Sequence, residues 1–532
     1  MAVNRRQLLK LIGLPAVAPW GALRPGAGIA GFGQGQSVPD VEVNLTASPG
    51  EATVLSGAPT RVWRYSATMA RGPALTVSPL RDSYLGPILR LRRGQRVRVR
   101  FRNQLDEPSI VHWHGLDVPE RADGHPRLAV EGGREYVYDF EVTNRAGTYW
   151  YHPHPHKRTA AQVYQGLAGV LLVGDPEEDA LGLPSGSGEL VWVLQDRRFD
   201  ARNQLVYAGS GEEGARAGGQ GMGGMGRGMQ GMGGGMRGMM QTVNGWLGDR
   251  VLVNGRPQPT VEVARRTYRI RLLNGSNARI YSLAWSDGIP LTVIGSDGGL
   301  LERAREMSRL TLAPGQRADI ILDLSDRAPG SQITFRSVSY PAAEVGRVGM
   351  MGETSSLPQG APIDLVRLRV SRDTGPRVRL PAQLCTPLAE WKTAARAPVR
   401  RVPLTFMRME WRLGGRTFEM DGVAADETVA PGSTHVWELR NEPNPMGMAM
   451  AHPIHVHGPQ FRVLSRSGGT ANALSAGILD TAATDTVLVL PGETVRVQLT
   501  FSRHPGLYLY HCHILEHEDM GMMRNFRIAA RG

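Results

Sequence analysis

The segment His511-Cys512-His513 places one thiol between two imidazoles, and a third imidazole at His517 and a thioether at Met522 follow it. A thiolate, two imidazoles and a weak axial thioether are the ligand set of a blue-copper electron-transfer site. Because side chains alternate between the two faces of a strand, Cys512 would face one side and both neighbouring histidines the other. One strand can therefore bind a mononuclear copper on one face and a different copper centre on the other.

Further imidazole pairs lie elsewhere in the chain, and ten of its 14 histidines fall into four clusters. The clusters are His112-Trp-His114, His152-Pro-His154, His452-Pro-Ile-His455-Val-His457 and the segment from His511 to His517. A two-residue spacing in a strand puts both rings on one face, so each pair can span two adjacent metal ions. A single pair is more often structural, and a histidine-rich surface is the alternative interpretation, but four pairs together with the thiol favour a copper centre.

These motifs resemble those of the multicopper oxidases, most closely the bacterial copper-efflux oxidases and the three-domain laccases. The resemblance runs through nearly the whole chain after its N-terminal segment and implies four copper ions per chain. It implies that type 1 copper is bound by His452, Cys512, His517 and the axial Met522, type 2 copper by His112 and His455, and the type 3 pair by His114, His152, His154, His457, His511 and His513. Met523 is the adjacent alternative to the axial ligand, and the family spacing from the thiol favours Met522.

An internal repeat predicts the architecture. Alternating strands that end in Asn, and later turns that contain Gly, recur with a period of roughly 180 residues. The repeated positions are Asn103, Asn274 and Asn441, and Gly133, Gly315 and Gly492. Alternating strands bounded by Gly and Pro turns indicate antiparallel β-sandwiches. Together with the resemblance, they predict an all-β fold of three cupredoxin-like Greek-key domains.

We expect a signal peptide at 1–37, domain 1 at 38–175, domain 2 at 176–372, a linker at 373–401 and domain 3 at 402–532. The segment around His152 in the first unit aligns with the segment around His511 in the third, with Pro153 in the place of Cys512. The matching strand of the second unit, near residues 332–336, has no histidine. We therefore expect the first and third units to share the copper cluster and the second to act as a spacer.

Residues 211–241 of the second unit form an insert rich in Gly and Met, a composition that predicts a mobile loop. Thioethers are soft ligands that select Cu(I), and the resembling efflux oxidases carry Met-rich segments over the entrance to type 1 copper. A low-complexity linker is the alternative. The candidate ligands of substrate Cu(I) are Met222, Met225, Met229, Met232, Met236, Met239, Met240, Met350, Met351, Met446, Met448 and Met450.

Two carboxylates are candidates for proton delivery, because reduction of dioxygen to water consumes four protons and a carboxyl group near the copper can relay them. By resemblance, Asp123 matches the family acid near type 2 copper and Glu518 the acid near the type 3 pair. The alternative for each is an ordinary salt-bridged acid. His125, His156, His435 and His504 are expected to bind no copper, and Cys385 is expected to be a lone thiol.

The N-terminus resembles a twin-arginine signal, with Arg5-Arg6 before a short apolar stretch broken by Gly and Pro. This predicts export to the periplasm or the exterior, and the stretch is too short for a membrane anchor. The net charge of +12 is spread along strands, as in 96–100, and no nucleic-acid motif is present. We expect a monomer whose substrates are dioxygen and Cu(I), phenols or aromatic amines. The competing hypothesis is a non-enzymatic cupredoxin scaffold, against which the complete ligand set argues.

Overall fold

The computed structural model describes residues 38–207, 240–347, 355–387, 396–444 and 447–530. The predicted signal peptide lies outside these ranges. So do most of the candidate Cu(I) ligands, namely Met222, Met225, Met229, Met232, Met236, Met239, Met350, Met351 and Met446. Met240, Met448 and Met450 lie within them.

The strands between residues 41 and 174 form two sheets that enclose the first core. They are β1 (Val41–Ala52), β2 (Thr60–Arg71), β3 (Val77–Ser78), β4 (Ile88–Arg92), β5 (Arg96–Asn103), β6 (Val111–His114), β7 (Glu135–Glu141), β8 (Gly147–Pro153) and β9 (Gly169–Gly174). The strand orders are β2-β1-β5-β7 and β3-β4-β9-β8-β6. Buried residues from both sheets form one apolar cluster, so this is a β-sandwich, called the first sandwich below.

The second sandwich is built in the same way from residues 189 to 374. Its strands are β10 (Glu189–Arg197), β11 (Arg250–Val253), β12 (Arg256–Pro257), β13 (Thr260–Arg265), β14 (Thr267–Asn274), β15 (Tyr281–Trp285), β16 (Leu291–Ser296), β17 (Gly299–Met307), β18 (Leu310–Leu312), β19 (Arg317–Asp323), β20 (Gln332–Ser337) and β21 (Ile363–Thr374). The strand orders are β12-β11-β10-β14-β19-β16-β17 and β13-β21-β20-β15-β18.

The third sandwich comprises residues 399 to 528. Its strands are β22 (Val399–Met407), β23 (Glu410–Leu413), β24 (Thr428–Val429), β25 (Thr434–Asn441), β26 (His452–Val456), β27 (Phe461–Gly468), β28 (Thr486–Val489), β29 (Glu493–Thr500), β30 (Gly506–Cys512) and β31 (Met523–Ile528). The strand orders are β23-β22-β25-β29-β27 and β24-β31-β30-β26-β28. The predicted all-β class is thus confirmed.

Helices are short and lie in the connections. The α-helices with both ends in the described ranges are α1 (Glu120–Asp123), α2 (Thr159–Gln165), α3 (Pro176–Asp179) and α4 (Leu515–Asp519). The 3-10 turns are Ala74–Thr76, Pro126–Leu128, Gly186–Gly188, Ala342–Glu344, Ala425–Glu427 and Ser475–Gly477. In the described part of the chain, no helix has the length and apolar character needed to span a bilayer.

The repeated asparagine has the same role in each sandwich. The first strand of each sandwich pairs in parallel with the strand that this residue ends: β1 with β5, β10 with β14, and β22 with β25. The asparagine side chain is buried and donates hydrogen bonds to backbone carbonyls of the following loops. In the third sandwich, Asn441 Nδ2 donates to the carbonyls of Met450, Val489 and Leu490 at 2.7, 3.1 and 3.0 Å. It thereby joins the chain just before β26, the strand that carries His452, to the end of the neighbouring strand β28.

Asn441→Ala should lower the free energy of unfolding by about 1–3 kcal/mol, because it leaves buried carbonyls without their donor. For a domain of this size that corresponds to roughly 2–4 °C in Tm per kcal/mol. Gln204→Ala is the control, since its amide also donates to two carbonyls, but at the surface. Differential scanning calorimetry on both variants measures the effect, and equal shifts in Tm would contradict this role for Asn441.

Candidate metal centres

Two pairs of adjacent strands bring the histidine motifs together. In the first sandwich β6 lies beside β8, with His112 opposite His152. In the third sandwich β26 lies beside β30, with His455 opposite His511. The two pairs face each other across the boundary between the sandwiches, where His112 Nε2 lies 3.4 Å from His455 Nε2.

The histidine side chains at this boundary form three groups in which the potential ligand atoms all lie within 4.8 Å of one another. Every one of these rings is buried. The groups are His112, His114 and His455; His114, His152 and His513; and His154, His457 and His511. The first group contains the predicted type 2 ligands, and the other two divide the predicted type 3 ligands into two sets of three. We call these eight residues the imidazole cluster.

The thiol site lies on the opposite face of β30. Cys512 Sγ is 3.5 Å from His452 Nδ1 and 3.6 Å from His517 Nδ1, and all three side chains are buried. Met522 belongs to the apolar cluster that contains Cys512, whereas Met523 does not and pairs with His511 across the sheet. The packing therefore places the predicted axial residue, and not its neighbour, on the side of the thiol.

The protonation states of the imidazole cluster suit a metal. Burial, with the proximity of other imidazoles, lowers the pKa of His112, His154 and His513 well below its usual value, so the rings are neutral. Neutral imidazole is the form that binds metals. Burial lowers the pKa of His152 to about 3, although a hydrogen bond to the carbonyl of Pro153 opposes the shift.

Several ring nitrogens in the cluster have no hydrogen-bond partner among the described residues. They are His114 Nδ1, His152 Nε2, His154 Nδ1 and both nitrogens of His513. Leaving a buried polar atom unsatisfied costs about 1–3 kcal/mol, so several in one place indicate a ligand other than protein. Burial also raises the pKa of the Cys512 thiol, so a thiolate at this position needs a bound cation. Imidazoles and a thiol are donors that copper accepts, and these residues therefore fit copper.

Asp123 and Glu518 both contact the imidazole cluster. Asp123 Oδ2 lies 2.7 Å from His457 Nδ1, while the Asp123 carbonyl is 2.6 Å from His112 Nδ1. Glu518 Oε2 lies 3.2 Å from His511 Nδ1, and Oε1 lies 3.5 Å from His154 Nε2. Burial raises the pKa of both carboxyl groups well above the usual range. Neither side chain is an exposed, salt-bridged acid.

Sequence analysis did not identify Asp485, a buried residue that contacts one histidine of the first sandwich and one of the third. Its Oδ1 is 3.0 Å from His114 Nε2 and 3.4 Å from His455 Nδ1. Burial alone would raise the pKa of Asp485, but the guanidinium of Arg317 outweighs it and holds that pKa far below the usual value. Arg317 lies in β19 of the second sandwich, which was predicted to be only a spacer.

Two glycines show how closely the second sandwich approaches the cluster. A Cβ atom on Gly315, which has a positive φ of 83°, would lie 2.8 Å from the His513 ring. A Cβ atom on Gly115, next to His114, would lie 2.6 Å from Asp485 Oδ2 and 2.7 Å from Arg317 Nη2. Both positions therefore exclude a side chain. The interpretation of the second unit as a spacer is incomplete, because its β18–β19 turn packs against the cluster.

The chain that follows the Met-rich insert covers the thiol site. The backbone carbonyl of Val243 accepts hydrogen bonds from His517 Nε2 at 2.9 Å and from Trp411 Nε1 at 3.1 Å. The Trp411 ring stacks on the His517 ring, with centroids 4.4 Å apart. His517 is thereby oriented by a backbone group that sequence analysis could not identify.

A cavity of about 710 Å³ lies beside the thiol site, between the second and third sandwiches. Its lining includes Met240, Met448 and Met450, which also pack against the apolar cluster around Cys512. Arg198 and Arg347 line it as well, and among the described residues around the cavity there is no carboxylate. Three of the predicted thioethers thus come together here, and the space suits a small organic molecule.

The residues predicted to bind no copper lie outside the groups of potential metal ligands found in the described ranges. His125 is buried and hydrogen-bonds Asn525, His156 packs on Phe418, and His435 packs on Phe501. Cys385 is a buried free thiol that donates to the carbonyl of Leu300.

Comparison with known proteins gives consistent results. Sequence models described as "Multicopper oxidase" match residues 62–178, 233–338 and 393–531. The chain is 31% identical to a multicopper oxidase of Staphylococcus haemolyticus over 84% of this chain and 82% of that protein, and 31% identical to the bilirubin oxidase of Albifimbria verrucaria over 83% and 71%. The crystal structure of the McoA multicopper oxidase from Aquifex aeolicus superimposes with a TM-score of 0.73 at 33% identity, covering 93% of this chain and 97% of that one.

Three sandwiches with buried imidazole and thiol groups define a cupredoxin-type oxidoreductase. The chain belongs to the multicopper oxidase family, of the bacterial laccase and cuprous oxidase type. It is accordingly a copper-dependent oxidoreductase that uses dioxygen as the electron acceptor, and its domains are cupredoxin-like.

Cys512→Ser should abolish the blue absorption of the copper-loaded protein, because that colour needs a thiolate ligand. Oxidase activity should be lost with it. Cys385→Ser is the matched control, since it removes the other buried thiol, away from the histidines. Absorption spectra and copper content are measured on both variants, and a Cys512→Ser protein that remains blue would contradict the assignment of the thiol site.

Proposed function

We propose that the chain oxidises Cu(I), and phenols or aromatic amines, one electron at a time at the thiol site and passes the electrons to dioxygen at the imidazole cluster. The observation that carries this proposal is the adjacency of Cys512 to His511 and His513, which connects the two sites through one stretch of backbone. Copper bound as one type 1, one type 2 and two type 3 ions would supply the redox chemistry, in which four electrons and four protons convert dioxygen to two waters.

The roles of the chain's own residues follow from their contacts. His452, Cys512, His517 and Met522 would hold the ion that accepts substrate electrons, and the eight histidines of the imidazole cluster would hold the other three. Asp123 and Glu518 would each hold a proton next to a ring nitrogen of that cluster, from which it can be delivered as dioxygen is reduced. Both side chains are buried, so a proton held there lies beside the cluster and away from bulk solvent.

Substrate selection would take place at the cavity beside the thiol site. Thioethers of Met240, Met448 and Met450 suit Cu(I), a soft ion, whereas the volume and the two guanidinium groups also suit a phenolate. The bilirubin oxidase relative supports an organic donor for a protein of this family. We propose that both kinds of substrate use this cavity, with the Met-rich insert contributing further thioethers for Cu(I).

We also propose that residues 1–37 are a twin-arginine signal and that the protein acts as a monomer in the periplasm or outside the cell, with a role in copper tolerance. The domain limits at 38–175, 176–372 and 402–532, with a linker at 373–401, belong to the same proposal. The competing scaffold hypothesis predicts no uptake of dioxygen, so an oxygen electrode with Cu(I) or a phenol distinguishes the two.

Asp123→Asn and Glu518→Gln should slow reoxidation of the reduced enzyme by dioxygen at least about 100-fold, because each removes a proton carrier beside the cluster. Reduction of the blue copper by substrate should be unchanged. Glu516→Gln is the control, since this buried carboxyl on the same helix hydrogen-bonds Tyr207 and Asn277 instead of a histidine. Stopped-flow reoxidation measures the rates, and rates equal to the wild type in both test variants would exclude the relay.

The triple variant Met240→Leu, Met448→Leu and Met450→Leu should raise KM for Cu(I) about tenfold, which corresponds to 1.4 kcal/mol. Phenol oxidation should be little changed, because Met and Leu have similar volumes. The control is Met407→Leu with Met409→Leu, two exposed residues of the third sandwich.

Deleting residues 215–238 tests the insert separately, because Met240 and the Val243 carbonyl remain. The deletion should lower Cu(I) oxidation and preserve or raise oxidation of bulky phenols, with the blue absorption retained. Steady-state kinetics with Cu(I) and with a bulky phenol measures the ratio of the two activities. Unchanged Cu(I) kinetics in both the deletion and the triple variant would favour a laccase over a metallo-oxidase.

A further inference from the structure

The second sandwich contributes no histidine to the imidazole cluster. Next to the cluster, however, one of its side chains forms hydrogen bonds to both the first and the third sandwich. Arg317 is fully buried. Its Nε donates to the carbonyl of Thr148 in the first sandwich at 3.0 Å, and its Nη1 and Nη2 donate to Asp485 of the third sandwich at 2.8 and 2.6 Å. This arginine is therefore a point at which all three sandwiches are joined by hydrogen bonds.

The guanidinium fixes the orientation of the Asp485 carboxylate. The two nitrogens contact different carboxylate oxygens, an arrangement that sets both the plane and the position of the group. The Oδ1 atom held in this way is the one that lies 3.0 Å from His114 Nε2. Thr486 Oγ1 donates to the same oxygen at 2.9 Å and lies 3.2 Å from His455 Nδ1.

The histidines that Asp485 contacts come from different sandwiches and present their other nitrogens to the cluster. His455 Nε2 lies 3.4 Å from His112 Nε2, and His114 Nδ1 has no partner among the described residues. A group that holds one ring nitrogen of a ligating histidine sets the direction of the other nitrogen. Asp485 thus orients one proposed type 2 ligand and one proposed type 3 ligand together.

Stability alone does not explain this arrangement. Burying an ion pair carries a desolvation cost that often cancels its attraction, and well-packed apolar residues can replace such a pair without loss. Here the backbone next to the ion pair leaves the space that the pair needs, because a Cβ atom on Gly115 would collide with both Asp485 and Arg317. Arg317 also donates to the carbonyls of Thr148, Gly315 and Asp297, while the Oδ1 atom of Asp485 lies against His114 and His455 of the cluster.

We propose that Arg317 is a positioning residue for the trinuclear copper site: through Asp485 it sets the orientation of His114 and His455, so the second sandwich controls copper binding without supplying a ligand. This inference rests on the proposed copper assignment. It implies in addition that the affinity for type 2 copper depends on Arg317, although this residue touches no copper ligand directly.

The test compares holoenzymes of the wild type, Arg317→Gln and Asp485→Asn under competition with a graded series of chelators. Loss of outer-shell partners typically lowers metal affinity about 10–100-fold, and we expect a loss of type 2 copper of this size in both variants. The type 2 signal in electron paramagnetic resonance and the copper content measure it. The blue absorption should remain as in the wild type, which distinguishes a local effect from misfolding.

Arg269→Gln is the matched control. Arg269 is equally buried in the second sandwich, and its partner Asp319 accepts a hydrogen bond from Thr148 of the first, but its ion pairs are with Glu178 and Asp319, away from the histidines. Its variant should keep type 2 copper at wild-type affinity. The double variant Arg317→Gln with Asp485→Asn should lose no more affinity than Asp485→Asn alone, because the arginine acts through the carboxylate.

Wild-type affinity for type 2 copper in Arg317→Gln would overturn the inference, as would an equal loss in Arg269→Gln or additive losses in the double variant. If Arg317→Gln does not fold, Asp485→Asn decides, and full retention of type 2 copper in that variant overturns the inference. A wild-type holoenzyme without any type 2 signal would instead contradict the copper assignment itself, and the inference with it.

Discussion

The structure depends on one costly arrangement, the burial of eight imidazoles at the boundary between the first and third sandwiches. Several of their nitrogens find no partner in the described protein, and each such atom costs about 1–3 kcal/mol. A bound metal removes this cost, so metal binding and the association of the two sandwiches are coupled. The strand pairs β6–β8 and β26–β30 must therefore lie face to face, and the rest of the fold holds them in that position.

The sequence was most informative where the chemistry is local. A spacing of two residues on a strand determines which side chains share a face, so the division between Cys512 and its flanking histidines could be predicted from the sequence alone. The repeat of asparagine and glycine positions likewise predicted three sandwiches, because each repeat is stabilised by hydrogen bonds within its own unit. The assignment of individual histidines to copper types came from the family resemblance, not from spacing.

Sequence analysis could not find contacts between distant residues whose types are unremarkable. Asp485 is one aspartate among many, and only the fold brings it to His114. Arg317 follows a turn that repeats in the other units, and its unit was interpreted as a spacer because the matching strand near residues 332–336 has no histidine. The carbonyl of Val243 has no side-chain signature at all. In each case the partner lies far away in the sequence.

The residues that flank the Met-rich insert on its two sides meet at one place. Tyr207 hydrogen-bonds Glu516 on α4 and its ring lies 5.4 Å from that of Trp246, while the Val243 carbonyl accepts from His517 on the same helix. One of these anchors is a backbone atom, which every amino acid possesses. The intervening segment can therefore be lengthened, shortened or rewritten by evolution without moving its attachment points. Even a substitution at Val243 keeps the acceptor that orients His517, so the sequence here can change while the thiol site keeps this hydrogen bond.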